Sequence, residues 1–107
     1  MHHPPIRTGI AEFDAIGLRD DDRAALATLL RDRPQVLRVA AGHIHRAITG
    51  EVGGVPVVVA PSAWRQAVLD LRPGAKIVLG DDRPGYAAHV LSGDGANCRW
   101  SHRVHDE

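Results

Sequence analysis

Cysteine and aromatic residues are scarce in this sequence of 107 residues. The single cysteine, Cys98, cannot form an intramolecular disulfide, which fits a reducing compartment. Because aromatic residues make up only 4% of the chain, a core must be built from valine, leucine, isoleucine and alanine. A folded chain of this length buries roughly two-thirds of its unfolded surface, enough for one modest core. We therefore expect residues 1–107 to form a single domain or one part of a domain.

Net charge and long hydrophobic runs are also missing. Thirteen lysines and arginines balance 13 aspartates and glutamates, so nothing favours electrostatic capture of a nucleic acid polymer or an anionic membrane. The longest apolar run is far too short to span a membrane. The first residues lack the charged and apolar regions of a signal peptide. We expect a cytoplasmic protein with no nucleic acid and no membrane among its partners.

Several familiar catalytic patterns are absent as well. The sequence has no glycine-rich phosphate loop, no Ser-His-Asp pattern and no CxxC pair. Cys98 has Arg99 as its only basic neighbour, whereas a nucleophilic thiolate requires a positioned histidine, so a packing role is favoured. Seven histidines remain as the most promising source of chemistry.

The apolar pattern predicts one helix followed by a mostly antiparallel sheet, an α/β arrangement. Residues 1–22 show no sustained periodicity. Residues 21–33 are predicted to form the helix, with an acidic start at Asp20-Asp21-Asp22 and a stop at Pro34. A catalytic carboxylate cluster is the less common interpretation of that acidic start. The helical spacing predicts a buried stripe of Ala25, Leu26, Leu29 and Leu30.

Strands are predicted over most of the remaining chain. Residues 36–41 are apolar on both faces except at Arg38, which is typical of a buried central strand. A hairpin is predicted over residues 47–60, with Gly53-Gly54 as its turn.

Further strands are predicted in the second half of the chain. Residues 65–71 alternate, which places Ala67, Leu69 and Leu71 on one face. A short strand is predicted at residues 76–79. The last prediction is a second hairpin, with strands 86–91 and 97–104 around the turn 92–96.

Two histidine clusters are candidates for metal binding, because neutral imidazole is a common metal ligand. Gly42-His43-Ile44-His45-Arg46 follows the predicted strand 36–41, and extended backbone would project His43 and His45 to the same side. If these histidines lie in a tight turn, Gly42 is expected to adopt a conformation that a β-carbon would strain. A Gly-His-x-His motif alone is as often structural as metal-binding.

The second cluster is His2-His3, followed by Pro4-Pro5. Proline pushes the preceding residue towards extended backbone, so His2 and His3 are expected to point in opposite directions. An accidental pair of surface histidines is the alternative interpretation.

Taken together, the motifs resemble those of the calcineurin-like metallophosphoesterases. They follow in the family's order: the histidine–proline motif at residues 2–5, Thr8-Gly9-Ile10, residues 13–18, a leucine-rich helix and Gly-His-x-His-Arg. The resemblance covers residues 1–92 and is greatest to the bacterial branch of cyclic-nucleotide and glycerophosphodiester phosphodiesterases. The chain contains no Asp-x-His and no Gly-Asn-His-Asp, and no Gly-Asp pair precedes His2. The resemblance therefore implies the carboxy-terminal part of such an enzyme, within a four-layer α/β/β/α sandwich.

The resemblance also implies a dinuclear centre of divalent transition metals, namely Mn, Fe, Zn or Co. His2 and His43 would bind one metal and His45 the other, whereas His3 would point elsewhere. Arg46 is a possible contact of the substrate phosphate, and an exposed structural arginine is the more common interpretation. The intact enzyme would hydrolyse cyclic nucleotides or small phosphodiesters. This part would be inactive alone, since the bridging aspartate and the leaving-group acid belong to motifs that it lacks.

A second interpretation makes the chain a non-catalytic metal-binding module or a remnant of an enzyme. A third makes it an assembly unit, a homo-oligomer held together through exposed strands. His89, His102 and His105 lie outside any motif, and edge or surface positions are expected for them. Trp64 would either stack on a nucleobase or pack against the sheet.

Overall fold

The computed structural model describes residues 1–91 and the backbone of residues 99–105. Two helices, α1 (Ala11–Ile16) and α2 (Asp20–Arg31), precede the strands. The strands are β1 (Val39–Ala41), β2 (Ile48–Val52), β3 (Val55–Val59), β4 (Gly85–Leu91) and β5 (Arg99–His105). They form a mixed three-stranded sheet of order β1-β3-β2 and a separate β4–β5 pair. The described residues are thus a small α/β domain, and the four-layer sandwich stays a prediction.

Helix α1 lies within residues 1–22, where the sequence predicts no regular structure. Its six residues are too few to show a helical period. Tertiary contacts stabilise it instead, because Ile10 and Phe13 are buried in the core. The Asp14 carboxylate accepts hydrogen bonds from the Thr8 and Gly9 backbone nitrogens at 2.7 and 2.9 Å. The Thr8-Gly9-Ile10 loop and the first helix therefore fold as one unit.

Helix α2 is confirmed, but its buried face differs from the prediction. Leu30 is buried, and Leu26 and Ala27 pack against the core, whereas Leu29 and Ala25 are exposed. The reason is the close approach of Ala27 to the β2–β3 turn. A β-carbon at Gly53 would lie 2.4 Å from the Ala27 carbonyl oxygen, so the helix rests on its Ala27 side.

The central strand of the three-stranded sheet is β3, and the prediction of a central strand at residues 36–41 is wrong. β3 pairs in parallel with β1 and antiparallel with β2, and Val57 and Val59 on it are almost completely buried. β1 has only three residues and occupies one edge of this sheet. The Val36 amide donates to the Arg33 carbonyl, so the first part of the apolar run forms the turn that follows α2.

The antiparallel strand pairs of the two predicted hairpins are confirmed. Gly53 and Gly54 both have positive φ angles, 56° and 81°, as the β2–β3 turn requires. β4 and β5 pair antiparallel from Gly85 opposite His105 to Leu91 opposite Arg99. The predicted turn 92–96 and Cys98 lie outside the described residues, as do the side chains of His102 and His105.

Residues 65–71 and 76–79 do not form the predicted strands. They share only one isolated antiparallel bridge, between Ala67 and Leu79. Ala67 is buried, but Leu69 and Leu71 are more than half exposed, so the three do not share a buried face. Their backbone is satisfied in part by scattered backbone hydrogen bonds, such as the one from the Val68 amide to the Val78 carbonyl at 2.7 Å. Side chains add to these, for instance where the Arg46 guanidinium donates to the Ala67 carbonyl at 2.6 Å.

The hydrophobic core lies between the helices and the three-stranded sheet. Its ten buried members among the described residues are mostly aliphatic, with one phenylalanine, as the shortage of aromatic residues predicts. They are Ile10, Phe13, Leu30, Ala41, Ile44, Val52, Val55, Val57, Val59 and Ala67. Ile44 places the histidine loop directly on this core. Across the described chain, neither helix has the length and hydrophobicity needed to cross a membrane.

Candidate metal centre

The loop that follows β1 carries His43 and His45 in an unusual backbone conformation. Both have positive φ angles, 70° and 55°, although neither is glycine. Such residues are uncommon, and each left-handed position costs about 1–3 kcal/mol, which the surrounding structure must offset. Between them, Ile44 is buried and its amide donates to the Gly42 carbonyl at 2.8 Å. Core packing of Ile44 thus fixes a tight turn that carries one imidazole on each side.

Gly42 itself is ordinary, and the expectation that a β-carbon would strain it is wrong. Its φ angle is not in the left-handed region, and an added β-carbon would meet no atom within 4 Å. The backbone strain of this turn falls on His43 and His45 instead.

The amino-terminal segment lies beside the end of β1. The Met1 nitrogen donates to the Ala40 carbonyl at 2.9 Å, and the Gly42 amide donates to the His2 carbonyl at 3.0 Å. Pro4 and Pro5 are buried and anchor the segment from the other side. These contacts bring His2 and His3 to the histidine loop from a position 40 residues away in the sequence.

Three imidazoles meet at this point, those of His2, His3 and His43. His2 Nε2 lies 2.9 Å from His43 Nδ1. Ring centroids are separated by 5.1 Å for His2–His3, 4.7 Å for His2–His43 and 4.2 Å for His3–His43. One nitrogen from each ring lies within 4.8 Å of the others. The expectation that His3 points away is wrong, because the chain bends at His3 and both rings face the loop.

His43 is the most enclosed member of the cluster. Its Nε2 is buried and has no hydrogen-bond partner among the described residues, and the Phe13 ring lies edge-on with its centroid 5.5 Å away. Burial lowers the pKa of His43 below its usual 6.5, and the neighbouring imidazoles of His3, His2 and His45 lower it further. His43 is therefore neutral near pH 7, which is the form that binds a metal.

His45 lies outside this three-histidine cluster. Its Nδ1 is 2.9 Å from the Arg65 carbonyl oxygen, which can only accept, so Nδ1 carries the proton and donates. The Nε2 lone pair is then free to act as a ligand. A hydrogen bond from the second ring nitrogen to a backbone carbonyl is typical of metal-bound histidines, because it fixes the tautomer and the ring orientation.

Arg46 is held by its own structural contacts. Its Nη1 donates to the Ala67 carbonyl at 2.6 Å and to Asp82 Oδ2 at 3.2 Å. Any contact with a phosphate would have to use its other nitrogens. Two further candidates lie elsewhere in the described part of the chain. His89 Nδ1 is 3.3 Å from Arg38 Nη1, and Trp64 is 66% exposed rather than packed against the sheet.

A small pocket adjoins the cluster between the histidine loop and the first helix. His3, His43, Thr8, Asp14 and Arg23 are among its lining residues. The Asp14 carboxylate is occupied by the Thr8 hydroxyl and two backbone amides, and Arg23 pairs with Asp20. Sequence reasoning missed Asp14 as a support of the site. The only available signal was its position six residues after Thr8, within the motif resemblance.

The cluster fits a transition-metal cation better than a hard cation. It offers imidazole nitrogens, which suit Zn, Fe or Co, whereas Mg and Ca prefer oxygen. With zinc–nitrogen bonds of about 2.0–2.1 Å, two ligands in tetrahedral geometry lie roughly 3.3 Å apart. The observed 2.9 Å between His2 Nε2 and His43 Nδ1 needs only a small opening to reach that value.

The sequence comparisons point to phosphodiesterases. Over 89 residues, 83% of this chain, it is 38% identical to a probable glycerophosphodiester phosphodiesterase of Arcobacter nitrofigilis. It is 32% identical over 90 residues, 84% of the chain, to a probable cyclic nucleotide phosphodiesterase of Rhodopseudomonas palustris. It is also 32% identical over 85 residues, 68% of the chain, to a probable cyclic nucleotide phosphodiesterase of a Synechococcus species.

The chain spans about a third of the length of these curated relatives, 32% in each case. No protein-family model matches it. Because the three names fall into two branches, the matches support a phosphoesterase family and not one particular branch.

Proposed function

We propose that this chain is part of a metal-dependent phosphodiesterase that hydrolyses cyclic nucleotides or small phosphodiesters. It would supply histidine ligands to a dinuclear centre of divalent transition metals and would be inactive alone. The observation that carries the proposal is the convergence of histidines at the end of β1, in a chain similar to three probable phosphodiesterases. The catalytic carboxylates would come from the rest of the enzyme, outside the third that this chain matches.

In this proposal His2 and His43 hold one cation and His45 holds the other. The short His2–His43 distance and the low pKa of His43 support the first pair. The hydrogen bond from His45 Nδ1 to the Arg65 carbonyl supports the second, because it leaves Nε2 as the ligand atom. Bound divalent cations would activate a water molecule and neutralise charge on the phosphoryl oxygens.

The other residues of the chain would keep these imidazoles in place. Buried Ile44 fixes the turn between His43 and His45, and the His2 carbonyl ties the amino-terminal segment to Gly42. Arg46 stays a candidate contact of the substrate phosphate, through the guanidinium nitrogens that Ala67 and Asp82 do not engage.

A chimera tests this function. The matching 89 residues of the Arcobacter relative are replaced by those of this chain. The chimera is then assayed with Mn²⁺ on bis(p-nitrophenyl) phosphate, a glycerophosphodiester and cyclic AMP. We expect hydrolysis by the chimera and none by the isolated chain.

Variants of the chimera assign the residues. His2→Gln, His43→Gln and His45→Gln should each abolish hydrolysis, whereas His89→Gln, at a histidine outside the cluster, should not. A folded but inactive chimera would contradict the proposed function. Hydrolysis by the isolated chain would contradict the dependence on carboxylates from elsewhere.

We further propose that the chain self-associates and acts in the cytoplasm. The described residues form a slab 41 × 38 × 17 Å, and Leu69, Leu71, Val78 and Tyr86 are more than half exposed on it. Exposed apolar surface of this kind is commonly covered by a partner. The single cysteine supports a reducing compartment. Light scattering at high concentration should show a dimer, and a monomer at every concentration would contradict the association.

A further inference from the structure

We propose that this chain by itself binds one divalent transition-metal cation through His2, His3 and His43, with His45 outside the ligand set. The proposal rests on the metal dependence of the proposed function and adds one ligand to its first cation site. His3, which the motif resemblance assigns no role, becomes the third ligand.

The geometry separates His3 from His45. One nitrogen each from His2, His3 and His43 lies within 4.8 Å of the others, so a single cation can reach all three. The His3 and His43 rings are the closest pair, with centroids 4.2 Å apart. His45 is not in this group, and its Nδ1 is committed to the Arg65 carbonyl.

The cluster also has an unsatisfied polar atom. His43 Nε2 is buried and lacks a hydrogen-bond partner among the described residues, while Nδ1 of the same ring faces His2. Buried polar nitrogens without partners are rare and costly. A bound cation would give the His43 ring a bonding interaction that the described residues do not supply.

Among the residues that the structure describes, no carboxylate is available to hold a second cation in this cluster. Asp14 lines the adjoining pocket, but the Thr8 hydroxyl and the Thr8 and Gly9 amides already occupy its two oxygens. Three neutral nitrogens favour Zn²⁺ or Co²⁺ over Mn²⁺. The isolated chain should therefore bind one Zn²⁺ rather than two.

Calorimetric titration of Zn²⁺ into the full chain tests the ligand set. The wild type is compared with His2→Gln, His3→Gln, His43→Gln and His45→Gln, and His89→Gln serves as the matched control. Loss of one of three ligands should weaken binding at least about tenfold. We expect that loss for His2, His3 and His43, and wild-type affinity for His45→Gln and His89→Gln. Thermal melts without metal identify any variant that fails to fold.

A second measurement keeps the test independent of variants. In the wild type, Zn²⁺ should shift the imidazole nuclear magnetic resonance signals of His2, His3 and His43 and leave those of His45 in place. Affinity lost in His45→Gln but kept in His3→Gln would overturn the proposal, as would equal affinity in all variants or two Zn²⁺ per chain. An inactive chimera together with the expected titration would contradict only the proposed function. An active chimera together with unchanged Zn²⁺ affinity in His3→Gln would contradict only this metal site.

Discussion

Two parts of the molecule are stabilised in different ways. The helix–sheet segment, residues 1–60, contains α1, α2, the three-stranded sheet and nine of the ten buried core residues that the structure describes. The loop segment, residues 61–84, contributes only Ala67 to that core and has no regular element beyond one bridge. Yet its backbone is well connected, because the side chains of Arg46, Arg65 and Gln66 donate to its carbonyls.

Gln66 shows how the loop segment is held. It is the buried polar residue among those that the structure describes. Its Oε1 accepts from the Ser62 amide at 2.9 Å, and its Nε2 donates to the carbonyls of Ser62 and Arg83 at 2.7 and 3.2 Å. The helix–sheet segment thus depends on shape and apolar area, whereas the loop segment depends on a few directional contacts. The two should respond to different substitutions.

The largest effect is expected where the backbone of the helix–sheet segment is most crowded. Gly53→Ala introduces a β-carbon 2.4 Å from the Ala27 carbonyl oxygen, at a φ angle of 56°. Left-handed strain and displacement of α2 together should lower the free energy of unfolding by at least about 3 kcal/mol. Gly54→Ala is the matched control, because its β-carbon meets nothing within 4 Å and only its φ of 81° is strained. It should cost about 1 kcal/mol. Urea unfolding of both variants measures the difference, and equal losses would show that α2 does not rest on the turn.

A smaller, local effect is expected in the loop segment. Gln66→Ala removes three hydrogen bonds, so the Ser62 amide and the Arg83 carbonyl lose their Gln66 partner, while the Ser62 carbonyl keeps its bond from the Gly85 amide. The free energy of unfolding should fall by about 1–3 kcal/mol. Amide hydrogen exchange should accelerate within residues 61–84 and stay slow in β2 and β3. Trp64→Ala, two residues away and 66% exposed, should change stability by less than about 0.5 kcal/mol. Faster exchange spread evenly over the chain would contradict the division into two parts.

Gly42→Ala should have a still smaller effect, in the stabilising direction. A β-carbon at position 42 would meet no atom within 4 Å, and the φ angle of Gly42 is outside the left-handed region, so other residues can adopt it. Replacing glycine there reduces the freedom of the unfolded chain, which is worth about 0.4–1 kcal/mol. The melting temperature should be unchanged or slightly raised, and Zn²⁺ affinity unchanged. A marked loss of either would show that the histidine turn needs glycine after all.

The smallest effect concerns the Asp70–Arg72 pair in the loop segment. Hydrogen bonds from the Arg72 guanidinium and backbone lower the pKa of Asp70 from 3.8 to about 2. The ionised carboxylate is therefore favoured in the folded chain, and its contribution is complete above pH 3.8 and lost as the pH falls through about 2. The two side chains are only two residues apart, and the guanidinium is largely exposed. Protonation of Asp70 should therefore hardly change the free energy of unfolding of the whole chain. Titration of the Asp70 carboxyl by nuclear magnetic resonance should give the low pKa, and Arg72→Ala should return it towards 3.8. An unshifted wild-type value would refute the pair.

The sequence by itself determined the elements whose signals are local. Gly53-Gly54 between two β-prone runs specifies the β2–β3 hairpin, because positive φ angles at both positions favour glycine. Leucine spacing and Pro34 specify α2 to within two residues at its end. The order of the motifs also indicated a phosphoesterase, which the sequence matches support.

Only the tertiary structure decided which of these elements meet, because the deciding contacts join residues far apart in the sequence. β3 became the central strand through pairing with β1 and β2, a choice that an apolar pattern cannot encode. In the loop segment, the side chains of Arg46 and Gln66 supplement a few scattered backbone hydrogen bonds. His3 turned towards His43 because hydrogen bonds and buried prolines fix the amino-terminal segment beside β1, overriding the alternation expected of an extended chain.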